Sequence, residues 1–309
     1  MRRFSQVLLL VVAVAGGGRA PAEPVSFAGP AMGTTYRVSL AAPVAGLAAG
    51  EVHREVDRLL ARIDRAASGW REGSDVGRFH RAAAGAWVEI DAELGALLAV
   101  ARRVHADSAG AFDVTAAPLV RCWRRDPPPA AAEIAAILPR VGMGLIEERP
   151  AAAGRPAAIR KTIAGVEIDL DGIGPGYAVD RIGERLVELG SANHLVELGG
   201  EVRAWGTRDG GAAWRVRLRA AAGTSRVIEL ASGRAIATAS SGPGRAVVDP
   251  RTGCRVAGPA RSLTVIAASC AEADAWAVAA VVLALAPDAD GVVSVPPAPS
   301  TTAVPPAAR

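Results

Sequence analysis

The sequence predicts an α+β fold, a single body of mixed, largely antiparallel sheets with packed helices. Three observations predict it. Short alternating runs follow one another without strict strand–helix–strand order, several segments repeat apolar residues at helical spacing, and no long linker divides the chain. With 309 residues, 50% of them hydrophobic and 21% charged, the chain has enough apolar matter for a large core, and it is neither a disordered nor a collagen-like sequence.

The elements follow in order. Ala31 to Leu40 alternates around Thr35–Val38 and predicts a strand. Glu51 to Ile63 places Val52, Val56, Leu59, Leu60 and Ile63 on one helical face. Trp87 to Ile90 is strand-like, and Asp91 is placed to cap a helix reaching Ala106. Pro127-Pro128-Pro129 breaks the chain before a short helix, Ala131 to Leu138. Val166 to Leu170 reads as a strand running into the Gly-rich turn Asp171 to Gly176, with a helix from Ala178 to Leu189 behind it. Strands are expected at His194–Leu198, Val202–Trp205, Trp214–Leu218, Arg226–Leu230 and Ser262–Ala267, and a last helix at Glu272–Leu285.

The two ends differ from this body. Met1-Arg2-Arg3, the nine apolar residues Val7 to Ala15 and the small-residue site Ala20-Pro21-Ala22 read as an export signal over residues 1–22. Nine helical residues rise only about 14 Å, less than the roughly 30 Å of a bilayer core, so no stable membrane span is expected. The protein is therefore expected to be exported, periplasmic, or membrane-associated if the signal is retained. Residues 25–286 form the domain, and the Pro/Ala/Ser/Thr-rich stretch 287–309 reads as a disordered tail.

Composition excludes several functions. Of the 35 Lys+Arg only Lys161 is a lysine, and the arginines are interspersed with acids, so the basic face that nucleic acid needs is missing. Cys122, Cys254 and Cys270 are too widely spaced for a disulfide framework, and with no CxxC and no clustered histidine a zinc site is not indicated.

Chemistry concentrates in DLDGIGPGYAVD, Asp169 to Asp180, where a Gly-rich turn opens a helix. Small residues let ligand oxygens approach the backbone, and a helix N-terminus favours negative charge. A second signal is Asp274, a carboxylate on an otherwise apolar helix, which is costly unless it meets solvent or a cation. Further along the same body lie AMGT (Ala31–Thr34), SGWREGSDVGRFHR (Ser68–Arg81), AFDVTAAPLV (Ala111–Val120), LVELGGEVRAWG (Leu195–Gly206) and VVDPRTG (Val247–Gly253).

Taken together and in this order, these segments resemble the ApbE family of flavin transferases across roughly residues 30 to 285. The resemblance implies a single ApbE-like α+β domain that uses FAD as substrate with Mg²⁺ and acts outside the cytoplasm. An acceptor Thr or Ser hydroxyl on an exported protein attacks the FMN phosphorus and AMP leaves. By motif position, Met32, Trp70, Ala111, Phe112 and Asp113 would line the FAD. Asp169 would bond the nucleotide end, and Pro175 and Val248 would sit beside the cofactor. Asp274 would bind Mg²⁺, with Gly172, Ala277 and Val278 completing that site.

The chain departs from the family pattern at particular positions. Pro175 stands where many members have Lys, Ala246 where a His is often found three residues before Asp249, and Val278 where a Thr supplies a hydroxyl. Only six residues separate Gly242 from Asp249, a shorter connection than usual. Arg181, Arg245 and Arg251 are the charges available to stand in, although a guanidinium fork differs from an ammonium. Two alternatives to transfer follow: an FAD-binding relative with weak or no turnover, and a pyrophosphatase giving FMN and AMP. No D-G-x-S/T-G-A-S/T segment for self-flavinylation occurs.

Overall fold

The computed structural model describes residues 25–208, 211–219, 225–242, 246–258, 261–288 and 292–294. The predicted signal at 1–22, the end of the tail from 295, and Arg245 lie outside them. The α+β expectation holds: helices pack on a large, mainly antiparallel sheet.

That sheet has seven strands, β1 (Val25–Ala31), β2 (Thr34–Leu40), β6 (His194–Leu198), β7 (Glu201–Trp205), β10 (Ala235–Ser241), β11 (Arg261–Ala267) and β12 (Val292–Ser294), paired in that order. All neighbours are antiparallel except β11 and β12, which run parallel. A three-stranded sheet joins β3 (Val88–Glu89), β5 (Ala158–Lys161) and β4 (Ile146–Arg149), and β8 (Trp214–Arg219) pairs with β9 (Ser225–Leu230).

Alternation along the strands serves two faces. Val196 and Leu198 of β6 point into the main core, whereas Leu195 points the other way, to Val202, Ala204, Trp214, Val216 and Leu230. On the main-core face, α6 (Gly174–Glu188) lies over β6 and β7, while α7 (Cys270–Val282) covers β10 and β11. These two helices touch each other. Against them pack α1 (Ala49–Ala67) on α6 and α3 (Ala92–Asp107) on α7.

Local chemistry explains where these helices begin. The Glu51 carboxylate accepts the Ala48 N–H at 2.8 Å at the start of α1, and Asp91 accepts the Glu93 N–H at 2.9 Å at the start of α3. The inner face of α1 is the predicted one, Val52, Val56, Leu59, Leu60 and Ile63, with Ala66 added. After the connection from α1, α2 (Asp75–Arg81) is capped by Ser74, whose Oγ accepts the Gly77 N–H at 2.8 Å. The remaining helices are short: α4 (Ala117–Trp123) and α5 (Ala131–Ile137).

Three expectations change. Val166–Leu170 is extended but belongs to no strand; the Ile168 N–H donates to His80 Nε2 at 2.9 Å and the Asp169 N–H to the Val114 carbonyl at 2.7 Å. The helix expected from Ala178 starts at Gly174, because Pro175 suits a first turn in which an N–H is not needed. Finally, Val292–Ser294 extends the ordered body into the stretch read as tail, by pairing with Thr264–Ile266.

Candidate active site

The N-terminal turn of α6 meets the N-terminal half of α7. A Cβ on Gly176 would run into the Cys270 carbonyl and approach Asp274 Cβ at 2.9 Å, so only glycine lets the two backbones come this close. At this contact the Gly176 N–H donates to Asp274 Oδ2 at 3.1 Å. Asp274 is buried, with 7% exposure.

The Gly-rich turn brings further predicted residues in. A Cβ on Gly172 would lie 3.1 Å from Val278 Cγ2 and 3.6 Å from Phe112 Cε2, which puts Gly172, Val278 and Phe112 together. Ala111 and Phe112 are buried, and Phe112 is held from both sides. Its N–H donates to Ser108 Oγ at 3.1 Å, and its carbonyl lies 2.9 Å from His105 Nδ1. Asp169 Oδ1 accepts the Asp171 N–H at 2.8 Å, which fixes the turn between them. The DPRTG turn approaches the same segment, since a Cβ on Gly110 would sit 3.5 Å from Arg251 Cγ. Trp123 Nε1 anchors that turn by donating to the Gly253 carbonyl at 2.8 Å.

Carboxylates dominate the electrostatics. Burial pushes Asp274 up to about 7, and Asp171 and Asp180, also acidic, push the same way against the single Gly176 hydrogen bond. Glu201, at the start of β7, is raised well above the usual range by burial and then by Asp274 and Glu197. Asp171 is open on one side, yet desolvation by its surroundings and the Asp169 charge lift it to about 6, with Arg124 opposing. A buried acid that no cation neutralises is driven to hold its proton, and a bound cation reverses that logic.

Among the described residues no three His, Cys, Asp or Glu side chains sit close enough to form a metal cage. The donor set fits a Mg²⁺ that takes one carboxylate and keeps waters and phosphate oxygens for the rest. Asp274 is the carboxylate such an ion would take, and Gly172 lies against Val278, one turn along α7 from it. Val278 brings a methyl group where a hydroxyl would be useful.

Not every predicted residue joins this cluster. The Trp70 side chain is 86% exposed, although its neighbour Gly69 lies against the Ile168 carbonyl. The Asp113 carboxylate is taken up by the fold: it accepts from the Thr115 N–H at 2.7 Å, Thr115 Oγ1 at 2.5 Å and the Met143 N–H at 3.1 Å, beside His105 at 3.3 Å. Val248 is buried and bridges to Arg255 near the DPRTG turn. Met32 occupies the β1–β2 turn at φ 47, close in sequence to Thr34, which packs against the Gly199 turn just before Glu201. Pro175 is half-buried in the first turn of α6.

Of the candidate replacement charges, Arg181 and Arg251 are committed elsewhere. Arg181 binds Glu93 and Glu184, and Arg251 makes two bonds to Asp249 at 2.8 and 2.9 Å. A groove of about 490 Å³ is lined by residues such as Arg58, Arg62, Arg65, Arg181 and Arg185, and of the candidate site and stand-in residues it holds only Arg181. Sequence reasoning did not assign roles to Asp180 and Glu201. For Asp180 the signal was present in the quoted motif, as an acid among the buried residues of its helix, but its partners lie far away in sequence.

Comparison with known proteins matches this arrangement. The ApbE family profile matches residues 32–291. FAD:protein FMN transferase of Klebsiella pneumoniae is 30% identical, covering 83% of this chain and 79% of its own. The one from Haemophilus influenzae is 29% identical, covering 81% and 78%. The crystal structure of the apo flavinyl transferase ApbE of Pseudomonas stutzeri superposes with a TM-score of 0.77 at 30% identity, over 86% of this chain and 87% of that one. Flavin transferase ApbE of Vibrio cholerae gives 0.75 at 30% identity, over 85% and 88%. With more than half its length inside the family profile, and with its fold matched over most of both chains, this protein belongs to the ApbE family.

Proposed function

We infer that the protein is an FAD:protein FMN transferase that requires Mg²⁺ and modifies a Thr or Ser hydroxyl of an exported acceptor. The observation that carries this reading is the Asp274 carboxylate, buried among other acids and aimed at the N-terminal turn of α6, beside Gly172 and Phe112. In the reaction the acceptor oxygen bonds to the FMN phosphorus, and the pyrophosphate bridge to AMP breaks. AMP leaves with the bridging oxygen, and the hydroxyl proton passes to a base or to water. Mg²⁺ supplies charge neutralisation of the pyrophosphate.

The chain's own residues do the positioning. Asp274, with the Gly172 and Ala277 carbonyls, would hold the cation, and Val278 walls the site. The N-terminal end of α6 contributes its helix dipole, since its first-turn amides are bonded to Leu170, Asp274 and Ile173. Met32, Ala111, Phe112 and Val248 provide apolar surface for the flavin, Trp70 supplies an exposed ring at the rim, and Asp169 addresses the nucleotide end. Localisation outside the cytoplasm follows from the signal-like residues 1–22 and is checked by sequencing the mature N-terminus.

A second reading, an FAD binder of slow turnover, is favoured by three features of the site. Val278 has no hydroxyl, Pro175 has no charge, and Arg181 and Arg251 are bound to carboxylates rather than available. Losing one transition-state contact costs about 10²–10³ in rate. One experiment separates these readings and hydrolysis. The protein is incubated with FAD and Mg²⁺, with and without an acceptor domain, while AMP and in-gel flavin fluorescence are followed. AMP with a fluorescent acceptor supports transfer, and AMP without labelling supports hydrolysis. FAD binding without AMP sinks both enzymatic readings.

A further inference from the structure

The contact between α6 and α7 is reciprocal. On one side an α6 amide, Gly176 N–H, donates to an α7 carboxylate, Asp274. One turn along, the direction reverses. Asp180 of α6 accepts the two leading amides of α7, Cys270 N–H on Oδ1 at 2.8 Å and Ala271 N–H on Oδ2 at 2.9 Å. Gly176 and Asp180 are four residues apart, as are Cys270 and Asp274, so each pair lies on one face of its helix.

Asp180 is also fixed from behind. Arg203 of β7 donates to its Oδ1 at 2.7 Å, and the Arg203 guanidinium rests over the Trp205 ring at 4.7 Å. Trp205 in turn fills the space beside Gly183 on α6, where any Cβ would collide with the ring. Asp180 is 5% exposed, so its carboxylate has no solvent to replace a lost partner.

We propose that Asp180 is a positioning residue, a buried clasp that sets the axial register of α7 against α6 and so holds Asp274 at the Gly176 amide. It touches neither cation nor flavin. The geometry makes the register depend on it. Without the two bonds at its N-terminus, the one hydrogen bond left between α7 and α6 among the described residues is that from Gly176 to Asp274. Groups that orient a metal ligand commonly matter to metal affinity by about 10- to 100-fold. The proposal rests on the reading of Asp274 as the cation ligand, but its first arm does not.

The test compares Asp180→Asn with Leu186→Ala, a destabilising change at a buried residue of the same helix that lies outside the clasp. In the first arm, hydrogen exchange of the Gly176 amide is measured in metal-free protein relative to Val196 in the sheet. In the second, Mn²⁺ affinity is measured by titration. Asp180→Asn is expected to speed Gly176 exchange relative to Val196, and to weaken Mn²⁺ binding, by about tenfold or more each. Leu186→Ala is expected to leave both within about twofold while lowering the melting temperature. Cys270→Pro, which deletes one donor at a first-turn position preceded by the extended Ser269, reproduces the Asp180→Asn result from the other helix, and serves alone if that variant does not fold. Unchanged Gly176 exchange in the clasp variants, or equal changes in Leu186→Ala, overturns the proposal. Failure of the unaltered protein to bind Mn²⁺ removes the cation reading, and the exchange arm then decides the clasp by itself.

Discussion

Two charged regions of this molecule sit on opposite sides of α6 and are balanced in opposite ways. The groove against α1 gathers Arg58, Arg62, Arg65, Arg181 and Arg185, but Glu55, Glu93, Glu184 and Glu188 bond to all of these except Arg65. Burial by itself would raise Glu93; Arg181, the Tyr177 hydroxyl at 2.6 Å and Arg62 instead hold its carboxyl below the usual range. Against α7 the acids Asp274 and Glu201 have other acids as their charged neighbours, and both are raised. A conspicuous pile of charge is thus internally settled, while a few buried carboxylates are left wanting a cation. Charge imbalance, rather than charge number, marks the reactive side.

The sharpest way to break this contrast is to remove Asp274. Asp274→Ala is expected to cut Mg²⁺-stimulated AMP release from FAD by about 10²–10³, the scale of losing one preorganised electrostatic contact. Activity near that of the unaltered protein would take the cation away from α7.

The next effect concerns stability and has opposite signs on the two sides. Asp274 is raised to about 7, so the folded metal-free protein binds a proton that the unfolded chain has released. Its contribution is complete below the ordinary carboxylate range near 4 and is lost as pH rises through about 7, on the order of a few kcal/mol. Denaturant melts of metal-free protein at pH 5 and pH 8 are expected to show this loss, Mg²⁺ to restore stability at pH 8, and Asp274→Asn to flatten the profile. Glu93 is lowered, so its contribution is present above its unfolded value and disappears as pH falls through the folded one. Arg181→Met should therefore cost about 1 kcal/mol near neutrality and less in acid, with AMP release unchanged. A matching profile for both sites would erase the distinction.

The smallest effect is at Arg65, exposed on the rim of the groove and without an ion pair among the described residues. Arg65→Ala should change stability by no more than about 0.5 kcal/mol in thermal melts.

Helical periodicity made α1, α3 and α7 legible, because each buries a regular stripe or is apolar all round. The strands were less so. β10 reads AIATASS, with few branched or aromatic residues to announce it, and it was not anticipated; it forms because the similarly small-sided α7 lies on it. Val166–Leu170 shows the reverse error. Its alternation does encode a half-buried extended backbone, but a histidine side chain and the Val114 carbonyl replace the partner strand, and alternation says nothing about who accepts the bonds.

The candidate site divides in the same way. Asp274 and the Gly-rich turn carried local signals, an acid in an apolar helix and glycines where backbones approach. Asp180 carried the same kind of signal but received no role, since its meaning lies in amides ninety residues later in the chain. Trp70 was read as a flavin contact from its motif, and the fold leaves its ring in solvent. Motifs report which residues share a site more readily than how each side chain is spent.

The short strand β12 has a consequence for handling the protein. β11 would otherwise be an outer strand, with the amides and carbonyls of Thr264–Ile266 facing water; Val292–Ser294 covers that row. A chain trimmed at Ala286, where the sequence suggested the fold was complete, would bare a sticky seam able to recruit a strand from a second molecule. Solubility would then be governed by three residues, of which Val293 also packs into the main core.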